Sequence, residues 1–170
     1  DNPNFHTDKY IWPVGYKCRR QYASTVEVDR KCDYLCEIAD GGAKPLFRIT
    51  PSDAPENRED GVSASGVWSA IMKKVNNRRQ AKGLLESKTA VSGPEYYGLA
   101  YPEVRRLIQE LPGAKLCAAP PLGQGCYKWQ QFGESMDVGG RGMDIDGDRR
   151  VGPRTDEERA WVEMEAAERA

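Results

Sequence analysis

Covalent or metal chemistry in a chain of 170 residues needs nucleophiles, bases, ligand clusters or phosphate cradles at workable spacing. The single histidine, His6, would have to serve as the base of any Ser-His-Asp arrangement. No serine lies in a Gly-x-Ser-x-Gly elbow, so His6 reads as a strand-edge or surface residue. Five cysteines stand at 18, 32, 36, 117 and 126. A zinc site shows two paired ligand clusters. Here only Cys32 and Cys36 form a loose pair, with Cys18 on a neighbouring strand, and they read as small buried hydrophobes. Cys117 and Cys126 flank a Pro/Gly-rich excursion and could meet across it, but the odd cysteine count favours a reducing compartment and free thiols.

Asp144-Ile145-Asp146-Gly147-Asp148 resembles the opening of a calcium loop. That loop needs Gly at its sixth position and an acid at its twelfth, where this chain has Arg149 and Thr155. The glycines at 139, 140 and 142 precede no helix and no Gly-Lys-Ser/Thr, so no phosphate loop is expected. These groups point to no catalytic constellation and no cofactor. One cluster remains: Lys73, Lys74, Arg78, Arg79 and Lys82, able to hold phosphates or an acidic partner, or to be the wet face of an amphipathic helix. The net charge of −1 and pI near 6.0 give no whole-chain case for nucleic-acid binding.

The length fits one domain, burying about 68–70% of its unfolded surface. No apolar run approaches the roughly 18 residues of a membrane span, and no signal peptide is expected. The opening Asp1-Asn2-Pro3-Asn4 reads as a cut inside a longer protein. Val14, Tyr16, Cys18, Arg20 and Tyr22 alternate with polar and small residues, the period of a strand. Arg20 breaks that face, either ending it or pairing with a carboxylate. Tyr34, Cys36 and Ile38 share a second strand, Asp40-Gly41-Gly42 marks a turn, and Pro45–Thr50 gives a third strand, antiparallel to the second. Pro51 to Gly61 reads as a loop. Ser63 or Ser65 can cap a helix whose stripe is Val67, Trp68, Ile71, Met72 and Val75, ending near Gly83. After the Ser92-Gly93-Pro94 loop, a second helix starts at Pro102, buries Val104, Leu107, Ile108 and Leu111, and stops at Pro112-Gly113. Tyr127–Phe132 reads as a last strand. Residues 137–154 read as a linker, and 155–170 as a helix whose capping box is Thr155 and Glu158.

Two aromatic blocks then resemble known motifs. Tyr10-Ile11-Trp12-Pro13-Val14-Gly15-Tyr16, Arg20 and Tyr22-Ala23-Ser24, continued by Tyr34-x-Cys36-x-Ile38 and Pro45-x-Phe47-x-Ile49, resembles FYRN. Ser92-Gly93-Pro94-Glu95-Tyr96-Tyr97-Gly98-Leu99, with Pro102, Leu107-Ile108, Leu111-Pro112-Gly113-Ala114 and Cys117, resembles FYRC. An Ala/Pro/Gly insertion departs from the family by separating Cys117 from Tyr127. The resemblance implies one α+β module over residues 5–135, an antiparallel sheet of about six strands with helices on one face. Within it Tyr10, Pro13, Gly15, Tyr16, Tyr22, Cys36, Phe47, Trp68, Gly93, Tyr96, Tyr97, Gly98, Leu111 and Pro112 would be mainly structural. It also implies a non-catalytic interaction module in the nucleus, whose partners are chromatin-associated or transcription-regulatory proteins. The alternative is nucleic-acid or nucleosome binding through the basic helix face.

Overall fold

A computed structural model describes residues 3–87, 91–118 and 126–132. By its contacts the chain divides into Asp1–Phe132 and Gly133–Ala170, and the described residues belong to the first unit. The expected linker at 137–154 and helix at 155–170 lie outside them.

The fold is α+β, with strands β1 (Lys17–Ala23), β2 (Lys31–Asp40), β3 (Pro45–Pro51) and β4 (Glu59–Gly61), and helices α1 (Ala64–Ala81), α2 (Gly93–Tyr96) and α3 (Pro102–Glu110). The sheet is antiparallel in the order β1-β2-β3-β4. The described residues thus hold four strands where the resemblance implies about six.

Alternation decides which side chains go inside. The register sets Cys18 opposite Cys36, Cys36 opposite Ile49, and Ile38 opposite Phe47. One sheet face therefore carries Tyr22, Tyr34, Cys36, Ile38, Phe47 and Ile49, all buried. A one-residue slip would turn this whole set outward, so the apolar pattern itself holds the register. Before β1 the chain bulges. Gly15 N donates to Ile38 O while Ile38 N donates to Tyr16 O, two residues opposing one, with Gly15 at φ 88°.

Helix α1 covers this face. Ser63 is its N-cap, its hydroxyl accepting from Gly66 N at 3.0 Å, and Val67, Trp68, Ile71, Met72 and Val75 are buried as the spacing predicts. None of the helices among the described residues is long and apolar enough to cross a membrane.

Four expectations need correction. Pro51–Gly61 is not all loop, because it contains a 3-10 turn at Pro55–Asn57 and strand β4. The Glu-Asp-Gly of β4 has no strand propensity. It exists by pairing with β3, and Arg48 Nε meets Asp60 Oδ1 at 3.1 Å across the ladder. Helix α3 buries only Ile108 of the stripe expected of it. Leu107 is 38% and Leu111 40% exposed, while Ile108 and Gln109 are buried. Tertiary contacts turn α3 toward a polar partner. That partner is the segment 126–132, which forms no strand. Its backbone runs singly, with Tyr127 N on Cys117 O and Lys128 N on Asp8 O, both at 2.9 Å. Finally, Arg20 does not end the face and pairs with no carboxylate among the described residues, and its guanidinium lies 4.2 Å from the Tyr96 ring centre.

Candidate functional site

Aromatic contact links the two sequence blocks. Tyr22 meets Trp68 edge-on at 5.8 Å and Tyr96 at 6.3 Å, and Trp68 lies 4.9 Å from Tyr96. Phe47 sits between Trp12 at 5.2 Å and Tyr97 at 5.5 Å, both T-shaped. The Tyr16 hydroxyl donates to Tyr97 O at 2.7 Å, and the Tyr97 hydroxyl to Arg48 O at 3.0 Å. Tyr16 and Tyr97 therefore share one interior. Gly93 is required by close approach, since a Cβ there would fall 2.1 Å from Ser65 N. Its own N–H donates to Ser65 Oγ at 3.0 Å.

Of the other motif residues, Tyr10 is half-buried, stacked on Trp12 at 5.5 Å and lying 4.8 Å beneath the Arg105 guanidinium. Pro13 is half-buried, Cys36 is buried, and Gly98 takes φ 72°. Leu111 and Pro112 are exposed and do not join this interior. There the helix has ended and the chain turns outward.

Burial sets the protonation of the polar members. It raises Tyr34 and Tyr97 well above the usual phenol range, and raises Cys36 and Cys117 above the usual thiol range. Cys32 is pushed up to about 11 by desolvation and by its hydrogen bond with Asp53. These groups stay protonated near neutral pH, suited to packing and to donating hydrogen bonds rather than to attacking as anions. Cys18, Cys32, Cys36, Cys117 and Cys126 are free thiols. Among the described residues no three His, Cys, Asp or Glu side chains gather around a metal position. His6 forms an isolated bridge with Ile11.

The basic cluster is partly absorbed by the fold. Lys74 pairs with Glu59 at 2.6 Å and donates to Asn57 O, Lys82 pairs with Asp29, and Arg79 donates to Leu85 O at 2.8 Å. Lys73 and Arg78 remain exposed. Helix spacing placed the five near one another, but partners outside the helix divide them.

Two residues escaped the sequence reading. Gln109 is buried, and its Oε1 accepts from the Tyr127 hydroxyl at 2.8 Å and Gln130 N at 3.0 Å, while its Nε2 donates to Gln130 O at 3.0 Å. Arg105 donates to Leu99 O and to Gln130 Oε1. A polar residue beside Ile108 was the only available signal, and helix periodicity alone assigns it no partner.

Comparison with known proteins yields two family matches. Residues 1–41 match the F/Y-rich N-terminus, FYRN, and residues 44–119 match the F/Y rich C-terminus, FYRC. The boundary lies at the β2–β3 turn, so Pro45, Phe47 and Ile49 belong to the FYRC match, not to FYRN as the resemblance had them. The chain is 35% identical over 132 residues to transforming growth factor beta regulator 1 of Homo sapiens, covering 78% of this chain and 30% of that protein. It is 40% identical over 114 residues to histone-lysine N-methyltransferase trr of Drosophila melanogaster, 64% of this chain and 5% of that protein. It is 31% identical over 119 residues to histone-lysine N-methyltransferase 2D of Homo sapiens, 67% of this chain and 2% of that protein.

Proposed function

The chain belongs to the FYRN/FYRC, or FY-rich, family, and from that premise we propose that it is a non-catalytic protein-interaction module of a nuclear chromatin-associated or transcription regulator. The observation that carries this reading is where the signature side chains lie. Tyr22, Phe47, Trp68, Tyr96 and Tyr97 are buried against one another, so these residues hold the fold and recognition falls to the surface. The two methyltransferases match over only 5% and 2% of their length, which supports placing their named activity outside the shared module. Residues 5–135 would act as one unit, and its partners would be chromatin-associated or transcription-regulatory proteins.

The test is purification of the full chain from nuclear extract with identification of what is retained. Chromatin or transcription proteins should be enriched over a Trp68→Ala control. Recovery of none would overturn the reading. The alternative, nucleic-acid binding through Lys73, Lys74, Arg78, Arg79 and Lys82, has less support because only Lys73 and Arg78 stay outward and uncommitted to the pairs described above. A strongly salt-dependent shift of duplex DNA, abolished by Lys73→Glu with Arg78→Glu, would favour it instead.

A further inference from the structure

Resting on the interaction-module reading, we propose that the cleft between the N-terminal segment and the start of α1 docks an extended acidic segment of a partner protein, with one large apolar side chain as its anchor. The cleft, open to solvent, has a volume of about 300 Å³, the lower end of the range for ligand pockets and enough for one bulky side chain. Trp12, Pro45, Phe47 and Pro94 line it, with Val62 and Lys44 beside them. Val62 is 69% exposed although apolar, a side chain that gains from being covered. The base is rigid because Trp12 is edge-packed on Phe47 at 5.2 Å, and Gly93 pins the Pro94 turn against α1. A preformed pocket lowers the ordering cost of binding.

Charge selects the occupant. The chain carries 26 acidic and 25 basic residues, yet none of the cleft-lining residues is acidic, and Lys44 is among them. Lys44 is exposed and appears in none of the ion pairs among the described residues. The first turn of α1 also lacks an acid to offset its positive end. An acidic flank is therefore attracted and a basic one repelled. One lysine is too little for a nucleic-acid backbone, and the apolar base suits a side chain better than a phosphate.

The probes are fluorescein-labelled peptides of about six residues, with Asp and Glu flanking a central Leu or Phe, compared with Ala-centred and Lys-flanked versions. Anisotropy with the full chain should show binding of the acidic, anchored peptide. Affinity should fall about tenfold with Lys44→Glu and with Val62→Glu, and hold within about twofold with Lys44→Arg. Both sites are exposed, so the unfolding midpoints of these variants should match that of the parent. No binding, equal binding of the Ala-centred or Lys-flanked peptide, or indifference to Lys44→Glu would overturn the proposal. Concentration-dependent dimerisation lost with Val62→Glu would overturn it in favour of a second copy. Repeating the nuclear-extract purification with the Lys44→Glu/Val62→Glu chain separates the two claims. Undiminished recovery of chromatin proteins sinks the cleft and leaves the module reading standing. Empty recovery by the parent chain, with the peptide still bound, sinks the module reading and leaves the cleft.

Discussion

Two regions of the molecule are held together in opposite ways. The sheet–α1 interior is aromatic and apolar, with Tyr34 and Tyr96 each in ring contact with both Tyr22 and Trp68. The α3 region is held by polar groups. Gln109 pairs with both backbone groups of Gln130, as a neighbouring strand would, and Arg105 adds a bond to the Gln130 side chain. The first kind of region gains free energy roughly in proportion to the area it buries. The second gains little per bond but loses much when one partner is removed, because the others stay buried and unpaired. Packing therefore accounts for the stability of the module, and hydrogen-bond geometry for the path of its last described segment.

That contrast can be broken most directly at Trp68, which is 0% exposed. Trp68→Ala should cost about 3–5 kcal/mol by denaturant unfolding. A loss below about 0.5 kcal/mol would mean that the aromatic interior is not what holds the fold. Gln109→Ala should cost less, about 1–3 kcal/mol, and its effect should be local. Amide exchange at Tyr127 and Gln130 should accelerate while β2 and β3 keep their protection. Uniform acceleration would erase the distinction between the regions.

Tyr16→Phe removes only the hydroxyl that bonds Tyr97 O and should cost about 0.5–1.5 kcal/mol. That variant asks how far the two aromatic blocks rely on polar as well as apolar contact. The smallest effect belongs to the sheet edge. Arg48, through its hydrogen bond, holds the Asp60 carboxyl below the usual carboxylate range. A depressed carboxyl contributes stability that is present above its unfolded value and lost as pH falls through the folded one. The parent chain should therefore lose more stability than Asp60→Asn as pH drops below about 4. Parallel acid profiles would show that this exposed pair contributes nothing measurable.

Much of the sheet and α1 was legible in the residues. The two-residue period of Tyr34, Cys36 and Ile38, and the helical stripe through Trp68, are local patterns that backbone geometry turns directly into faces. Strand β4 was not legible, because Glu59-Asp60-Gly61 has no strand preference of its own and exists by pairing with β3. Leu107 and Leu111 misled for the same reason. An apolar stripe says that a helix has a preferred face, but not which neighbour will reach it. The candidate cleft drew no signal, since its walls come from residues near 4–12, 44–47, 62–65 and 94.

By itself the sequence determined β1, β2, β3, α1 and α3 as elements, the inward faces of β2, β3 and α1, and membership in a family whose two blocks flank one turn. The elements and their faces follow from periodicity and side-chain chemistry, which act over a few residues. Only the tertiary structure decided that the Tyr16 hydroxyl would donate to Tyr97 O, that Lys74 and Lys82 would turn to Glu59 and Asp29, and that Gln109 would hold Gln130. Those pairings join residues far apart along the chain, and chain closure by the packed core, not local propensity, brings them within bonding distance.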